Sequence, residues 1–305
     1  MVLGEPLSFF LFEVMVLFLL VVCLYFGVRK KRLPATSVVL ELTVFIIYGL
    51  SLESIAVAAG FYEYAPFTVE VWLVPLVIGV GWGVIGFSAM WFSDSLNMPQ
   101  WSKPFLDALL ALLIDLGMDT VAIRDSYPFD GQNMGMWSWG LELDAQWFGV
   151  PYGNFLTWWV VVFIMSNSLR GGRYLALWFE KRWLTWIYPV IALTVALPVF
   201  LLLLLTFAGA FDYRTLLLLV GVSIAICFVN VQGIQERLTW LRDAPVFLVP
   251  LAFHLFFLTL MLWRRLHLDS PGILLSALFA FALHHLILFV AGRRAHRVLS
   301  EIEAA

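Results

Sequence analysis

The sequence predicts an all-α membrane protein, a polytopic bundle of about eight to nine transmembrane helices that forms one integral domain over residues 1–305. Composition is the first reason, since 62% of the residues are hydrophobic and only 13% are charged. A soluble domain carries about 25% charged residues, and no soluble fold of this length can bury so much apolar surface. The second reason is that apolar runs of about 20 residues, the length of a membrane span, recur along the chain.

Nine apolar runs are candidate spans. The first run follows an acidic start rather than a basic one and is too long for a signal peptide, so we expect it to be retained as a span. We expect residues 171–292 to supply further transmembrane helices and residues 293–305 to form a cytoplasmic tail. The runs cover residues 7–28, 37–59, 72–92, 105–123, 153–169, 184–207, 214–232, 246–263 and 272–292.

The distribution of Lys and Arg predicts the orientation, because cytoplasmic loops carry the excess of these residues. With the N-terminus outside, fourteen of them fall on the cytoplasmic side and four, at positions 124, 214, 264 and 265, fall outside. The bias favours an outer N-terminus, a cytoplasmic C-terminus and an outer loop over 124–152, in a bacterial or archaeal cell membrane. The fourteen are Arg29, Lys30, Lys31, Arg32, Lys103, Arg170, Arg173, Lys181, Arg182, Arg237, Arg242, Arg293, Arg294 and Arg297.

The 124–152 loop is the one long connection. Loops of more than about 12–15 residues are usually functional or disordered, and this one is rich in aromatic residues, including Trp137, Trp139, Trp147 and Phe148. Such a composition argues against disorder. We expect the loop to lie in the membrane interface or to fold back over the helices.

Two carboxylates lie inside the fourth apolar run. Asp115 and Asp119 are four residues apart, so they share one face of a helix, and acids within a span are functional candidates by default. Two neighbouring carboxylates in an apolar setting do not both ionise readily, so one of them is expected to keep its proton at neutral pH. A protonated acid in an apolar pocket can protonate an alkene. The alternative is a polar contact between helices.

Three further acids, Glu13, Glu41 and Glu53, lie in the first two runs. Glu53 is near the same membrane face as Asp119, so the two could share a cavity, whereas Glu13 is expected to have a packing role. No Lys or Arg lies within the first four runs, so the sequence favours proton sharing over salt bridges for these acids.

Other chemistries lack the residue patterns that they need. Cys23 and Cys227 lie in different runs without metal or redox spacing, and His254, His284 and His285 form no metal-binding pattern and are expected to pack between helices. A magnesium-dependent prenyltransferase needs a second acidic motif and basic residues for the diphosphate, but later acids are scattered singly. We therefore predict no cofactor or metal, and the absence of a basic cluster with interleaved aromatic residues argues against nucleic acid.

Several aromatic residues lie near these acids in sequence or in adjacent spans. Trp faces can stabilise a carbocation, although most tryptophans of membrane proteins belong to the interfacial belt or the core. Those noted here are Trp82, Trp137, Trp139, Trp158 and Trp159.

The segment around these residues resembles the membrane carotenoid hydratases, which add water to the end group of acyclic or monocyclic carotenoids. That family has a D-x-x-x-D-P-x-A helix, a W-x-W pair and a G-V-P-x-x-N-F-x-x-W segment, and Glu53 with GFYEY, Pro75 and Trp82 resemble its upstream positions. The resemblance covers about residues 40–170. Thr120 replaces the usual Pro, and the loop between Asp119 and Trp137 is longer than expected. The matching residues are Asp115, Asp119, Ala122, Trp137, Trp139, Gly149, Val150, Pro151, Asn154, Phe155 and Trp158.

The resemblance implies cofactor-independent hydration of the terminal C1–C2 double bond of lycopene, γ-carotene or a related carotenoid. Asp115 or Asp119 would be the acid, and Glu53 or the other Asp would orient the water. Trp82, Trp137, Trp139, Asn154 and Trp158 would bind the substrate. Expected partners are the carotenoid, membrane lipid and other enzymes of the carotenoid pathway. The alternatives are an end-group cyclase or other isoprenoid-modifying enzyme, and a non-enzymatic transporter or membrane subunit.

Overall fold

Nine long helices account for most of the chain in a computed structural model that describes residues 6–30, 33–129, 131–181, 183–207, 212–233, 238–240 and 242–303. Each of the nine predicted spans corresponds to one of them. They are α1 (Leu7–Lys30), α2 (Ala35–Ala58), α3 (Leu76–Asp94), α4 (Lys103–Ala122), α5 (Tyr152–Trp178), α6 (Leu184–Phe207), α7 (Tyr213–Asn230), α8 (Ala244–Trp263) and α10 (Pro271–Glu303), with the short α9 (Leu266–Asp269) before the last.

Seven of these helices are long and apolar enough to cross a membrane, which confirms an all-α, polytopic, integral membrane fold. The other two are α4, which carries Asp107, Asp115 and Asp119, and α5, which carries Arg170 and Arg173. Helix α4 packs against α3, α5, α7, α8 and α10, and every residue in it except Phe105 and Leu116 is buried. Its charged residues therefore contact other helices rather than lipid.

The helices alternate between two ends of the bundle. At the first end, Ser8 at the start of α1 donates to Asp125 just after α4, and Arg264 just after α8 pairs with Asp125 through its Nε, 2.8 Å from Oδ1. At the second end, the backbone of Asn97 exchanges two hydrogen bonds with residues 232 and 233. We name these the loop end and the ion-pair end.

The long loop folds back over the loop end of the helices, as one of the two predicted alternatives had it. It contains a hairpin of β4 (Tyr127–Phe129) and β5 (Gln132–Met134), while its β6 (Trp137–Ser138) pairs antiparallel with β1 (Glu63–Tyr64). The Met136 N–H donates to the carbonyl of Ala122. A further hairpin pairs β2 (Glu70–Val71) with β3 (Val74–Pro75), just before α3. The 3₁₀ helix η1 (Gln100–Ser102) leads into α4.

A buried ion-pair cluster joins α2, α3, α4 and α5 at the ion-pair end. Arg170 pairs with Asp107 (Nη2 to Oδ2, 2.9 Å) and with Asp94. Arg173 pairs with Asp94 (Nη1 to Oδ2, 2.8 Å) and with Glu41 (Nε to Oε1, 2.6 Å). With Lys103, whose Nζ lies 3.7 Å from Asp94 Oδ1, the cluster has as many cations as carboxylates. This balance is why so much charge can be buried.

The prediction that the acids of the first runs share protons rather than form salt bridges was wrong for Glu41. It failed because α5 continues to Trp178, beyond the predicted span of 153–169, and carries Arg170 and Arg173 into the bundle. These arginines were expected in a cytoplasmic loop. Glu13 accepts a hydrogen bond from the backbone N–H of Thr68 (3.1 Å), in agreement with a packing role.

Removing one partner from this cluster should be costly. We expect Arg170→Met to lower the free energy of unfolding by about 3–5 kcal/mol, because it leaves buried carboxylates without a counter-charge. Arg214, exposed at the start of α7, provides the control: Arg214→Met should change stability little. Thermal unfolding in detergent measures both, and equal stability of the two variants would contradict a structural role for the cluster.

Candidate functional site

A cavity at the loop end is enclosed by α1, α2, α3, α4, α5, α8 and the folded-back loop. It has room for the centres of a few water molecules, about 40 Å³. Seven of the eight residues predicted for the site line it, and Glu53 and Asp119 are among them. The lining residues are Phe12, Glu53, Tyr62, Tyr64, Ile78, Gly81, Trp82, Ile85, Met118, Asp119, Trp137, Trp139, Asn154, Trp158 and Phe253.

Asp115 and Asp119 are bridged by Asn154, with Asp119 at the cavity wall and Asp115 behind it. Both are buried on one face of α4, and the side-chain amide of Asn154 donates to each, at 3.1 Å to Asp115 Oδ2 and 2.6 Å to Asp119 Oδ2. The shared amide of Asn154 therefore joins the two carboxyl groups. Asp119 lines the cavity. Asp115 lies one helical turn away and does not line the cavity, but it contacts Asn154, which does.

The start of α5 positions Asn154. Gly149 adopts a left-handed φ of +84°, which glycine adopts without strain, and Pro151 is the N-terminal cap residue of α5. Proline suits the beginning of a helix because it has no N–H to satisfy. Asn154 and Trp158 then share one face of α5, one turn apart, so the G-V-P-x-x-N-F-x-x-W spacing directs both side chains into the site.

Glu53 is held by three donors. The hydroxyls of Tyr62 and Tyr64 donate to Oε2, the latter at 2.6 Å, and the indole N–H of Trp82 donates to Oε1 at 2.8 Å. Burial and the adjacent Glu53 raise the pKa values of both tyrosines well above their usual range, so they remain protonated donors. Among the described residues, Oε1 receives one hydrogen bond, from Trp82, and so retains a lone pair for a further donor.

Tryptophan faces form two sides of the cavity. Trp82 stacks on Trp158 with ring centroids 3.8 Å apart, and Gly49 of α2 makes room for this arrangement, because a Cβ there would lie 2.6 Å from Trp82. In the loop, Trp137 packs against Tyr64 and Trp139 against Tyr62. The pairing of β1 with β6 places these four rings side by side.

The tyrosines were the main residues that the sequence did not assign to the site. Tyr62 and Tyr64 are two apart in an extended segment, and such residues point to one side, which is the signal that could have identified them as partners of Glu53. Phe253 and Phe12 come from remote helices and gave no local signal. Trp159 lies outside the cavity, with its N–H donating to Ser223 (3.1 Å).

The histidines lie between α8 and α10. His254 Nε2 and His284 Nδ1 are 3.4 Å apart, and His285 Nδ1 lies 2.8 Å from the Phe281 carbonyl of its own helix. Within the described ranges, no group of three or more His, Cys, Asp or Glu side chains could hold a metal ion.

The fold and site define an integral membrane protein with buried carboxylates in an aromatic cavity. The chain belongs to the carotenoid biosynthesis protein family, whose model matches residues 9–229. A role in carotenoid biosynthesis follows from this membership. Neither a curated protein nor a solved structure matches the chain.

Proposed function

We propose that the protein adds water to the terminal C1–C2 double bond of an acyclic or monocyclic carotenoid such as lycopene or γ-carotene, as a cofactor-independent hydratase. The observation that carries the proposal is one aromatic cavity lined by both Asp119, which shares the Asn154 amide with Asp115, and Glu53, which is held by three donors. The two carboxyl groups can act as an acid and a base on one bound alkene.

Hydration proceeds in three steps at these groups. Asp119 transfers its proton to C2 of the substrate, leaving a tertiary cation at C1 beside the tryptophan faces. Water forms a bond to C1 through its oxygen while Glu53 accepts one of its protons. That proton then returns from Glu53 to the aspartate pair, so that one alkene and one water give one tertiary alcohol. Asp115 and Asn154 are positioning residues, since they act through Asp119.

Polar groups around the cavity favour hydration over cyclisation. A cyclase also begins by protonating an alkene, but it must exclude water from the cation. Here the free lone pair of Glu53 Oε1 and the tyrosine hydroxyls offer hydrogen bonds to water. The N–H of Trp139 is buried and has no partner within the described residues, and such a group beside a cavity is expected to bind water.

The tryptophans should matter less than the acid. We expect Trp137→Leu and Trp139→Leu each to lower the hydration rate by about 2- to 30-fold, because a cation–π contact contributes about 0.5–2 kcal/mol. The measurement is conversion of lycopene in membranes, normalised to protein level. Trp101, which is exposed at the other end of the bundle, is the matched control, and a Trp101→Leu variant that loses as much activity would contradict the assignment.

The proposed orientation places the loop end, and therefore the cavity, on the outer side of the membrane. We expect a cysteine replacing Asn133 to react with an impermeant maleimide in intact cells, and one replacing Asn97 to react only after lysis, in a background without Cys23 and Cys227. Asn97 lies at the opposite end and is exposed. The reverse labelling pattern would invert the orientation.

Expression in a lycopene-producing bacterium tests the function. Pigments that gain the mass of one water at one or both ends support the hydratase. Pigments of unchanged mass with a shortened chromophore indicate a cyclase. Unchanged lycopene and γ-carotene, with the protein present in the membrane, contradict both activities.

A further inference from the structure

A second cavity lies next to the first, on the side of the ion-pair end. It lies between α3, α4, α8 and α10, and Ile85 lines both cavities. The lining of the second cavity is apolar except for His284 and Ser88. The Ser88 hydroxyl donates to the carbonyl of Pro245 (3.0 Å). Its residues are Ile85, Ser88, Ala89, Phe92, Leu110, Ala111, Ile114, Val246, Pro250, His284 and Leu288.

Three helices each line the two cavities with one uninterrupted stripe. On α3 the stripe runs Ile78, Gly81, Trp82, Ile85, Ser88, Ala89, Phe92; on α4 it runs from Met118 through Ile114 and Ala111 to Leu110; on α8 it runs Phe253, Pro250, Val246. Steps of three and four residues keep a stripe on one helical face. At 1.5 Å per residue, the α3 stripe is about 21 Å long.

Gly81 shows that the space is not used for helix packing. Three other glycines of α3 are in close contact with α2: a Cβ at Gly79 would lie 2.3 Å from Leu50, and those at Gly83 and Gly86 would meet Ile46 and Phe45 at 2.6 and 2.4 Å. A Cβ at Gly81 would meet only Phe253, at 4.0 Å. The absence of a side chain at Gly81 therefore leaves the first cavity open at this point.

We infer that the second cavity is a binding site for the hydrocarbon chain of a linear isoprenoid whose terminal double bond lies at Asp119. This inference rests on the proposed function. The occupant is a linear apolar chain because the two cavities are narrow and follow one another along the helix axes. The second cavity now has room for the centre of one water molecule, about 10 Å³, so Ile85 and its neighbours must rotate to admit the chain.

Blocking the second cavity should separate long substrates from short ones. In Ala111→Phe, the new ring fills the part of the second cavity that Ile114 and Leu110 also line. Lycopene binding and hydration should each fall at least about tenfold. Hydration of farnesol, a short isoprenoid with the same end group, should stay within about twofold. Ala225→Phe, at an exposed position of α7, is the control.

Binding is measured as lycopene retained by purified protein, with Asp119→Asn included as a variant that should bind without reacting. If wild type retains lycopene but hydrates nothing, the proposed function fails and the chain site stands. If Ala111→Phe retains and converts lycopene as the control does, the chain site is wrong. If Ala111→Phe does not reach the membrane, Ala89→Phe replaces it, because Ala89 lines the second cavity and not the first, and the same outcomes apply to it.

Discussion

Asp119→Asn should abolish carotenoid hydration while the protein remains folded in the membrane. The substitution keeps the volume and the contact with Asn154 but removes the transferable proton. General acid catalysis contributes about 10²–10⁴-fold, and the rate should fall by that factor. Asp115→Asn should lower the rate less, because Asp115 lies behind the cavity wall and acts through Asp119.

Conversion of lycopene in cells, normalised to membrane protein level, measures the effect. Glu13→Gln is the control, because Glu13 accepts a bond from the loop backbone away from the cavity and its loss should leave hydration nearly intact. Full hydration by the Asp115→Asn, Asp119→Asn double variant would show that the acid lies elsewhere. Glu53 is then the next candidate, while Glu41 is paired with Arg173.

Glu53→Gln should change the product as well as the rate. In the proposed mechanism, Asp119 still forms the cation, but no base removes a proton from water. The cation then returns a proton from a neighbouring carbon to the Asp119 carboxylate, which regenerates lycopene or gives a positional isomer of the same mass. We expect the alcohol to fall about 10²-fold or more, with isomerised pigment in its place.

Tyr62→Phe distinguishes the loss of one hydrogen bond to Glu53 from the loss of its carboxylate. This variant removes one donor from Oε2 but retains the carboxylate, so hydration should continue at a reduced rate without a change of product. Pigment chromatography with mass analysis measures both outcomes. Alcohol as the sole product of Glu53→Gln at the wild-type rate would exclude Glu53 as the base.

Most of the membrane fold could be predicted from the sequence because lipid imposes a simple length and polarity requirement on each span. The nine predicted runs correspond to the nine long helices. The extent of α5 could not be predicted in this way. Arg170 and Arg173 looked like loop residues, and only the carboxylates of α2, α3 and α4 around them explain why the helix continues to Trp178.

The sequence by itself indicated many of the residues that line the cavity, since acids within an apolar run and a locally spaced aromatic motif are visible without coordinates. Asp115, Asp119 and the tryptophans were found in this way, and Asn154 was found through the family resemblance. Only the tertiary structure decided how they are arranged: Asp119 at the cavity and Asp115 behind it, Glu53 between two tyrosines and an indole, and a second apolar cavity beyond Ile85. The physical reason is that spacing along one helix specifies a shared face, whereas contacts between helices depend on packing among residues far apart in sequence.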